Sequence, residues 1–419
     1  MKKNYSHYII ANKINYLFIL FFILGSYFTL NAQVMVPFKE RTSSFTPSKK
    51  TYNVKGNFTM MGNTNLTLQD YTDSKTNGNN SMKYVDIDGD PNTLNSSSST
   101  LVLPTDNGIA SSCAKVVYAG LYWTGRVSQS NPNPDTFSVT KGSLTKTLNK
   151  RKISFKGPGS ATYDEFTATD IYFPTTKDGF MYTAYAEVTS YVKDHGIGEY
   201  FAADIALKEG NLGGDIGTYG GWGLIVVYEN SAMKNRDITI FDGHAWVKES
   251  TTVNYNIPVT GFNSVTTGDV GIKLGIMAGE GDVNFTGDYF KIQKLNSSNY
   301  LSLNHTGNTT NNFFNSSIQT GGNARNPVLK NNSGLDISMF NLPNSDKSII
   351  GNNQNSTNFQ YGSTIDTYVI FAIAMAVDAY VPEIEGVVSA VSINGSPAGA
   401  GPYTALPGQQ LEYKIQIKN

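Results

Sequence analysis

Tyr368-Val-Ile-Phe-Ala-Ile-Ala-Met-Ala-Val377 is the longest apolar run beyond residue 32, and its length decides how the rest of the chain is read. A membrane-spanning helix takes about 20 apolar residues. This run is strand-sized and closes on Asp378. Leu224-Ile-Val-Val-Tyr228 is a shorter continuous run, as expected of a strand covered on both faces.

Outward from these two runs the chain alternates. Val270, Ile272, Leu274 and Ile276 keep a period of two, as do Val253, Tyr255 and Ile257. Asp237-Ile-Thr-Ile240 and Lys152-Ile-Ser-Phe155 repeat the pattern, and Val116 to Trp123 adds another run. The chain carries 40 Gly, 25 Tyr and 22 Phe, is visibly rich in Asn, Ser and Thr, and has only 16% charged residues. That is strand and turn material with little to build helices. One helical turn is expected at Val188, Tyr191 and Val192, stopped by Gly196. The class predicted is all-β: one large β-sandwich, jelly-roll or lectin-like, over residues 51–381.

The flanks read differently. Residues 1–32 join Lys2, Lys3 and Lys13 to the apolar stretch Tyr16–Leu30 and end in Leu30-Asn31-Ala32, a secretory signal peptide. The chain is thus expected to be exported and to work outside the cell or on its surface, with no transmembrane helix after processing. Residues 33–50, polar with two prolines, read as a leader. The stretches 72–100 and 296–360 read as long polar loops over a sheet. From 384 to 419 a new alternation begins, clearest at Leu411, Tyr413, Ile415 and Ile417, and reads as the start of an Ig-like repeat in a longer protein.

Charge and cysteine usage exclude some functions. Removing residues 1–32 takes away three lysines and no acid, which moves the formal charge from −1 to −4. Without a basic cluster, nucleic acid and anionic membrane surfaces are excluded as partners. Cys113 is the single cysteine, so no intramolecular disulfide forms; beside Ala114–Tyr118 it reads as a small buried hydrophobe.

Two acidic groups are candidate ion sites. Asp86, Asp88 and Asp90 alternate in a Gly-containing loop, as the first half of an EF-hand-type calcium loop does. Pro91 stands where that loop's Gly belongs and Ser97 where its Glu belongs. A self-capped turn is the alternative. Glu280 and Asp282 form the second group; with Asp288 they read as β-turn acids, as a second ion site, or, for Glu280 and Asp288, as a glycosidase acid/base pair. Trp123, Trp222 and Trp246 lie in or beside strand runs and read as core. His195, His244 and His305 share no metal-ligand spacing and read as surface or hydrogen-bonded residues. No GxSxG or GxxxxGK[ST] pattern occurs.

Three stretches carry a resemblance: Tyr122-Trp-Thr-Gly125; Gly220-Gly-Trp-Gly-Leu-Ile-Val-Val-Tyr228 with Arg236–Gly243; and Gly279-Glu-Gly-Asp282 with Gly287-Asp288. Together they resemble the N-terminal region of large adhesin-like surface proteins of gliding Gram-negative bacteria. Pro407–Asn419 is similar to the opening strands of the tandem Ig-like repeat called domain of unknown function eleven. The resemblance implies a surface-exposed protein with no enzymatic activity. The function expected is a non-catalytic adhesin-like module, glycan-binding and calcium-stabilised, whose partners are surface glycans or other cell-surface components. A secreted polysaccharide hydrolase using paired carboxylates and a purely structural surface module are the alternatives.

Overall fold

The computed structural model describes residues 34–128, 133–172, 180–212, 214–248, 254–381 and 385–418. The signal peptide expected over 1–32 lies outside them, as does Val253. Among the described residues no helix is long and apolar enough to cross a membrane.

The chain is all-β. Its spine is an eleven-stranded sheet. From one edge the order is Asp170–Tyr172, Met181–Glu187, Lys115–Arg126, Gly220–Glu229 and Thr51–Thr64, then Asn235–Val247, Tyr368–Asp378, Ile272–Gly279, Leu335–Leu342 and Ile318–Gln319. Val34–Glu40 pairs with Asn235–Val247 off this path. Both apolar runs sit in the interior of the sheet, with no exposed position in Tyr368–Asp378, because a strand with neighbours on both edges and cover on both faces has no side for polar residues.

Thr51–Thr64 is the hinge of this sheet. Residues 51–55 pair on one edge with Asn235–Val247, and residues 56–64 pair on the other with Gly220–Glu229. The two halves of the sheet therefore separate along this strand and face each other. Phe58, Met60, Ile225 and Val227 from one half meet Met277, Ile337 and Ala374 from the other. Glycines let them approach: a Cβ on Gly62 would lie 2.6 Å from Ile337 Cδ1, and one on Gly275 only 2.2 Å from Met60 Sδ.

Each half is covered on its outer face by a smaller sheet. Asp164–Thr167, Lys152–Lys156, Gly198–Ala203, Ser96–Leu101 and Arg325–Asn326 cover the first, around Phe155, Trp123, Trp222 and Leu224. Tyr255–Val259, Thr357–Gly362, Tyr289–Gln293 and Tyr300–Ser302 cover the second, around Phe290, Phe359, Ile370 and Ile373. The sandwich fold that the sequence suggests is present, built as two sheet pairs back to back. Burying each large apolar side chain is worth about 1.5–3 kcal/mol, and the doubled arrangement gives both faces of the spine that cover.

Several local expectations change. Residues 34–40 of the expected leader form a strand, and Arg41 behind it is buried against Asp242. That strand pairs with the one that carries His244, Val36 opposite it, and His244 is fully buried with neither ring nitrogen hydrogen-bonded, instead of lying at the surface or bonded. Cys113 is exposed, at the end of a short 3-10 turn, Ser111–Cys113. Within 296–360, Leu335–Leu342 is a full strand of the spine; its Asp336 and Ser338 are buried, which hid it among polar loops. The predicted helix is present as Thr189–His195 and ends on Gly196 at φ +71°.

Residues 385–418 form a separate three-stranded sheet from Glu385–Ile393, Ser396–Pro397 and Leu411–Lys418. Leu411, Tyr413, Ile415 and Ile417 share one of its faces and are 41–71% exposed.

Candidate metal centre

Ile272–Gly279 and Tyr368–Asp378 are antiparallel neighbours, with Gly279 opposite Val369. The residues that leave the first strand and those that enter the second therefore emerge at the same end of the sheet. That register brings Glu280 and Asp282 to Asp366. One carboxylate oxygen from each of the three lies within 4.8 Å of the others. All are buried, at 1%, 3% and 1% exposure.

The backbone around them is tightly determined. Glu280 adopts φ +80°, a conformation a side-chain-bearing residue holds only when its surroundings impose it. Its N–H donates to the Gly334 carbonyl, and Gly334 Cα carries no side chain because a Cβ there would crowd Asn77 and Glu280. A Cβ on Gly281 would lie 2.2 Å from the Phe314 carbonyl oxygen. Asp366 Oδ2 accepts the Asp282 N–H at 3.0 Å, and Asp366 Oδ1 accepts the Thr367 N–H at 2.8 Å. The long polar loop after residue 70 brings Asn77 here. Hydrogen bonding from its side chain favours the ionised form of Glu280, and that from its backbone favours the ionised form of Asp282.

Glu280 Oε1 and Asn77 Oδ1 are buried without a hydrogen-bond partner. A buried polar atom left so costs about 1–3 kcal/mol. Burial and the neighbouring acids push the Glu280 and Asp366 carboxyls far above the usual range, and burial pushes Asp282 up to about 7. Arg126, at the end of Lys115–Arg126, opposes the shift at Glu280. Three carboxylates this close and this dry do not all ionise unaided. They need protons or a cation.

The donor set is all oxygen, which selects a hard cation. Oxygens that all lie within 4.8 Å of one another can converge on one such ion.

Asp288 stands apart from the trio. Its Oδ2 accepts the Phe314 N–H at 2.7 Å, its Oδ1 is unpartnered, and burial raises its carboxyl to about 7. Asp86, Asp88 and Asp90 do not converge on a point. Asp86 pairs with Lys141 at 3.0 Å, Asp88 accepts from the Asp90 N–H at 3.0 Å and from Tyr163 at 2.5 Å, and Asp90 accepts from Asn92 at 2.9 Å. Asp88 and Asp90 cap the turn locally, while Lys141 and Ser96 engage Asp86 and Tyr163 engages Asp88, so the three carboxylates are used separately and the geometry between Asp88 and Asn92 is the self-capped turn. Trp123 and Trp222 are core residues whose indoles donate to the Lys150 carbonyl and to Ser97 Oγ, both at 2.9 Å; Trp246 is 7% exposed.

Asp366 is the ligand candidate that the sequence reading lacks. It lies 84 residues beyond Asp282. Its only local signal is its position just before the longest apolar run.

No protein-family model matches the chain, and no curated protein matches it. Among solved structures it is similar to N-glycanase F (PNGase F), with 13% identity and a TM-score of 0.22 over 78% of this chain and 97% of that one. The peptide-N(4)-(N-acetyl-β-D-glucosaminyl) asparagine amidase is similar at 13% identity and a TM-score of 0.22, over 77% and 97%. The major capsid protein P2 of bacteriophage PM2 follows at 9% identity and 0.19, over 77% and 98%. At these scores nothing about function passes from those proteins to this chain.

Proposed function

We propose that this chain is an exported, non-catalytic, adhesin-like module that binds glycans at the cell surface and is stabilised by calcium. The observation that carries the reading is the buried trio Glu280, Asp282 and Asp366, in which one Glu280 oxygen has no hydrogen-bond partner. Calcium is abundant outside cells, and oxygen-lined sites at loop junctions are where it adds stability. The same burial weighs against catalysis: Glu280 and Asp288 are 1% and 0% exposed, so no polysaccharide reaches an acid/base pair made from them. Signal peptide, Ig-like tail and adhesin resemblance are consistent with display at the surface.

The test is thermal unfolding of the processed chain with calcium and with chelator, beside isothermal titration with calcium alone. A saturable one-site isotherm and a calcium-dependent rise in Tm are expected. A Tm indifferent to both additions removes the ion from the reading. A blank glycan array together with a blank cell-adhesion assay removes the binding function.

A further inference from the structure

The solvent side of the sheet over the second sandwich has an unusual composition. Its strand order is Tyr255–Val259, Thr357–Gly362, Tyr289–Gln293, Tyr300–Ser302. Ile257, Phe359, Phe290 and Ile292 point into the core. By alternation the outer face carries two cross-strand rows. One is Asn256, Gln360, Lys291 and Ser302, and the other is Pro258, Asn358, Gln293 and Tyr300. Neither row holds an acid, and Lys291 is the one charge in them.

Two tyrosines lie along this face. Tyr300 and Asn256 stand on the opposite edge strands, yet Tyr300 Oη lies 3.4 Å from Asn256 Oδ1. Three flat strand spacings, about 14 Å, exceed the reach of these two side chains, so the sheet curls and the Tyr300 side chain points toward the far edge. Tyr289 crosses two spacings in the same direction, donating to Asn254 Oδ1 at 2.5 Å. Lys291 Nζ covers the Tyr289 ring at 3.8 Å from its centroid. Tyr300 is half-buried, with part of its side chain open to water.

The amides are coupled but not saturated. Asn358 Nδ2 donates to Gln293 Oε1 at 2.7 Å, and Gln360 Nε2 lies 3.4 Å from Asn256 Oδ1. Gln293 is engaged at its other end too, its Nε2 donating to the Ser297 carbonyl at 2.8 Å. Each amide has two donor hydrogens and an accepting oxygen, so Asn358 and Gln360 keep an accepting oxygen and a second N–H, and Asn256 keeps its N–H groups. An aromatic face beside neutral groups that both donate and accept is complementary to a sugar, whose rings are apolar on one face and hydroxyl-lined at the edge. Lack of acids and of a basic cluster selects against charged ligands.

We propose that this face, with Tyr300 as the stacking platform and Asn256, Gln360, Asn358 and Gln293 as the hydrogen-bonding rows, is a binding site for uncharged glycan chains. It rests on the glycan-binding reading above and gives that reading a location. Four amides in two rows on adjacent strands suit an extended chain more than a single sugar.

Affinity electrophoresis of the processed chain in gels containing dextran, mannan, laminarin or xyloglucan, with alginate as the anionic control, tests this. Retardation by at least one neutral polymer, unchanged in 0.5 M salt and absent with alginate, is expected on the order of the weak affinities such open sites allow. Tyr300→Ala and, separately, Asn256→Lys should each weaken it at least tenfold while leaving Tm unchanged. Asn256 is exposed on an edge strand, so its variant remains informative if Tyr300→Ala disturbs the sheet. Retardation that survives both substitutions overturns the face but keeps glycan binding. Retardation by alginate alone overturns the uncharged class. No retardation by any polymer, with a blank glycan array, overturns both readings.

Discussion

Asp366 holds the backbone of Asp282: its Oδ2 accepts the Asp282 N–H at 3.0 Å across the junction of two neighbouring strands. One acid of the trio thus orients another, and the cluster is set by the sheet before any ion arrives. This preorganisation predicts opposite effects of one substitution on two states. Glu280→Gln puts a neutral amide where burial and the neighbouring acids disfavour an ionised carboxyl. The calcium-free protein should melt a few degrees higher. At calcium 100 times the dissociation constant the wild type gains about 2.7 kcal/mol, and the variant should lose most of that gain. Melting curves of both proteins with chelator and with calcium measure the crossing.

Arg41 predicts a second effect. Its Nε donates to Asp242 Oδ2 at 2.5 Å, its Nη1 reaches Asp170 at 2.5 Å, and its guanidinium lies 4.0 Å from the Tyr185 ring centre. Asp242 is fully buried and also accepts from Tyr122 at 3.1 Å. Arg41→Met should destabilise by about 3–5 kcal/mol, because Asp242 is left buried without its cation. The double variant Arg41→Met/Asp242→Leu should cost less than the single one. Urea unfolding of both checks the order.

His244 predicts a pH dependence. Burial alone lowers its pKa from 6.5 to about 3. A depressed folded-state pKa means that the unfolded chain binds the proton first as pH falls. The stability held by the neutral ring is full above 6.5 and is lost progressively from there toward about 3, on the order of a few kcal/mol in the limit. His244→Leu should flatten the fall in Tm between pH 6.5 and 4. An equal slope in both proteins would assign the acid sensitivity to other groups.

The packing of the two sheet halves predicts a contrast between two glycines. A Cβ on Gly62 would lie 2.2 Å from the Trp222 carbonyl oxygen, which is backbone and cannot yield. On Gly223 the nearest atoms are Met277 Cε at 2.5 Å and Sδ at 2.8 Å, the end of a flexible side chain. Gly62→Ala should cost about 3 kcal/mol or prevent folding, and Gly223→Ala about 1 kcal/mol. Denaturant midpoints compare them.

Strands that alternate or run apolar without interruption were legible in the sequence. Ile272–Gly279, Gly220–Glu229 and Tyr368–Asp378 stand where the pattern places them. Leu335–Leu342 was not legible, because Asp336 accepts the Asn315 and Ser317 N–H groups and so lies buried in a position where the pattern expects an apolar residue. Val34–Glu40 was missed because it is short and interrupted by Pro37, and what places it is its long-range pairing with Asn235–Val247. Asp86, Asp88 and Asp90 carry the stronger local motif, and an ion pair to Lys141 and local capping use them separately. The trio carries almost none, and the fold assembles it.

Local periodicity by itself determined the class of this protein, most of its strand-forming stretches and the helix Thr189–His195, because the periods of strand and helix are written into neighbouring residues. Only the tertiary structure decided that the spine turns back on itself at Thr51–Thr64, and that Glu280 and Asp282 meet Asp366. Strand register fixes such meetings, and register is chosen by burial over the whole sheet, which no window of sequence contains.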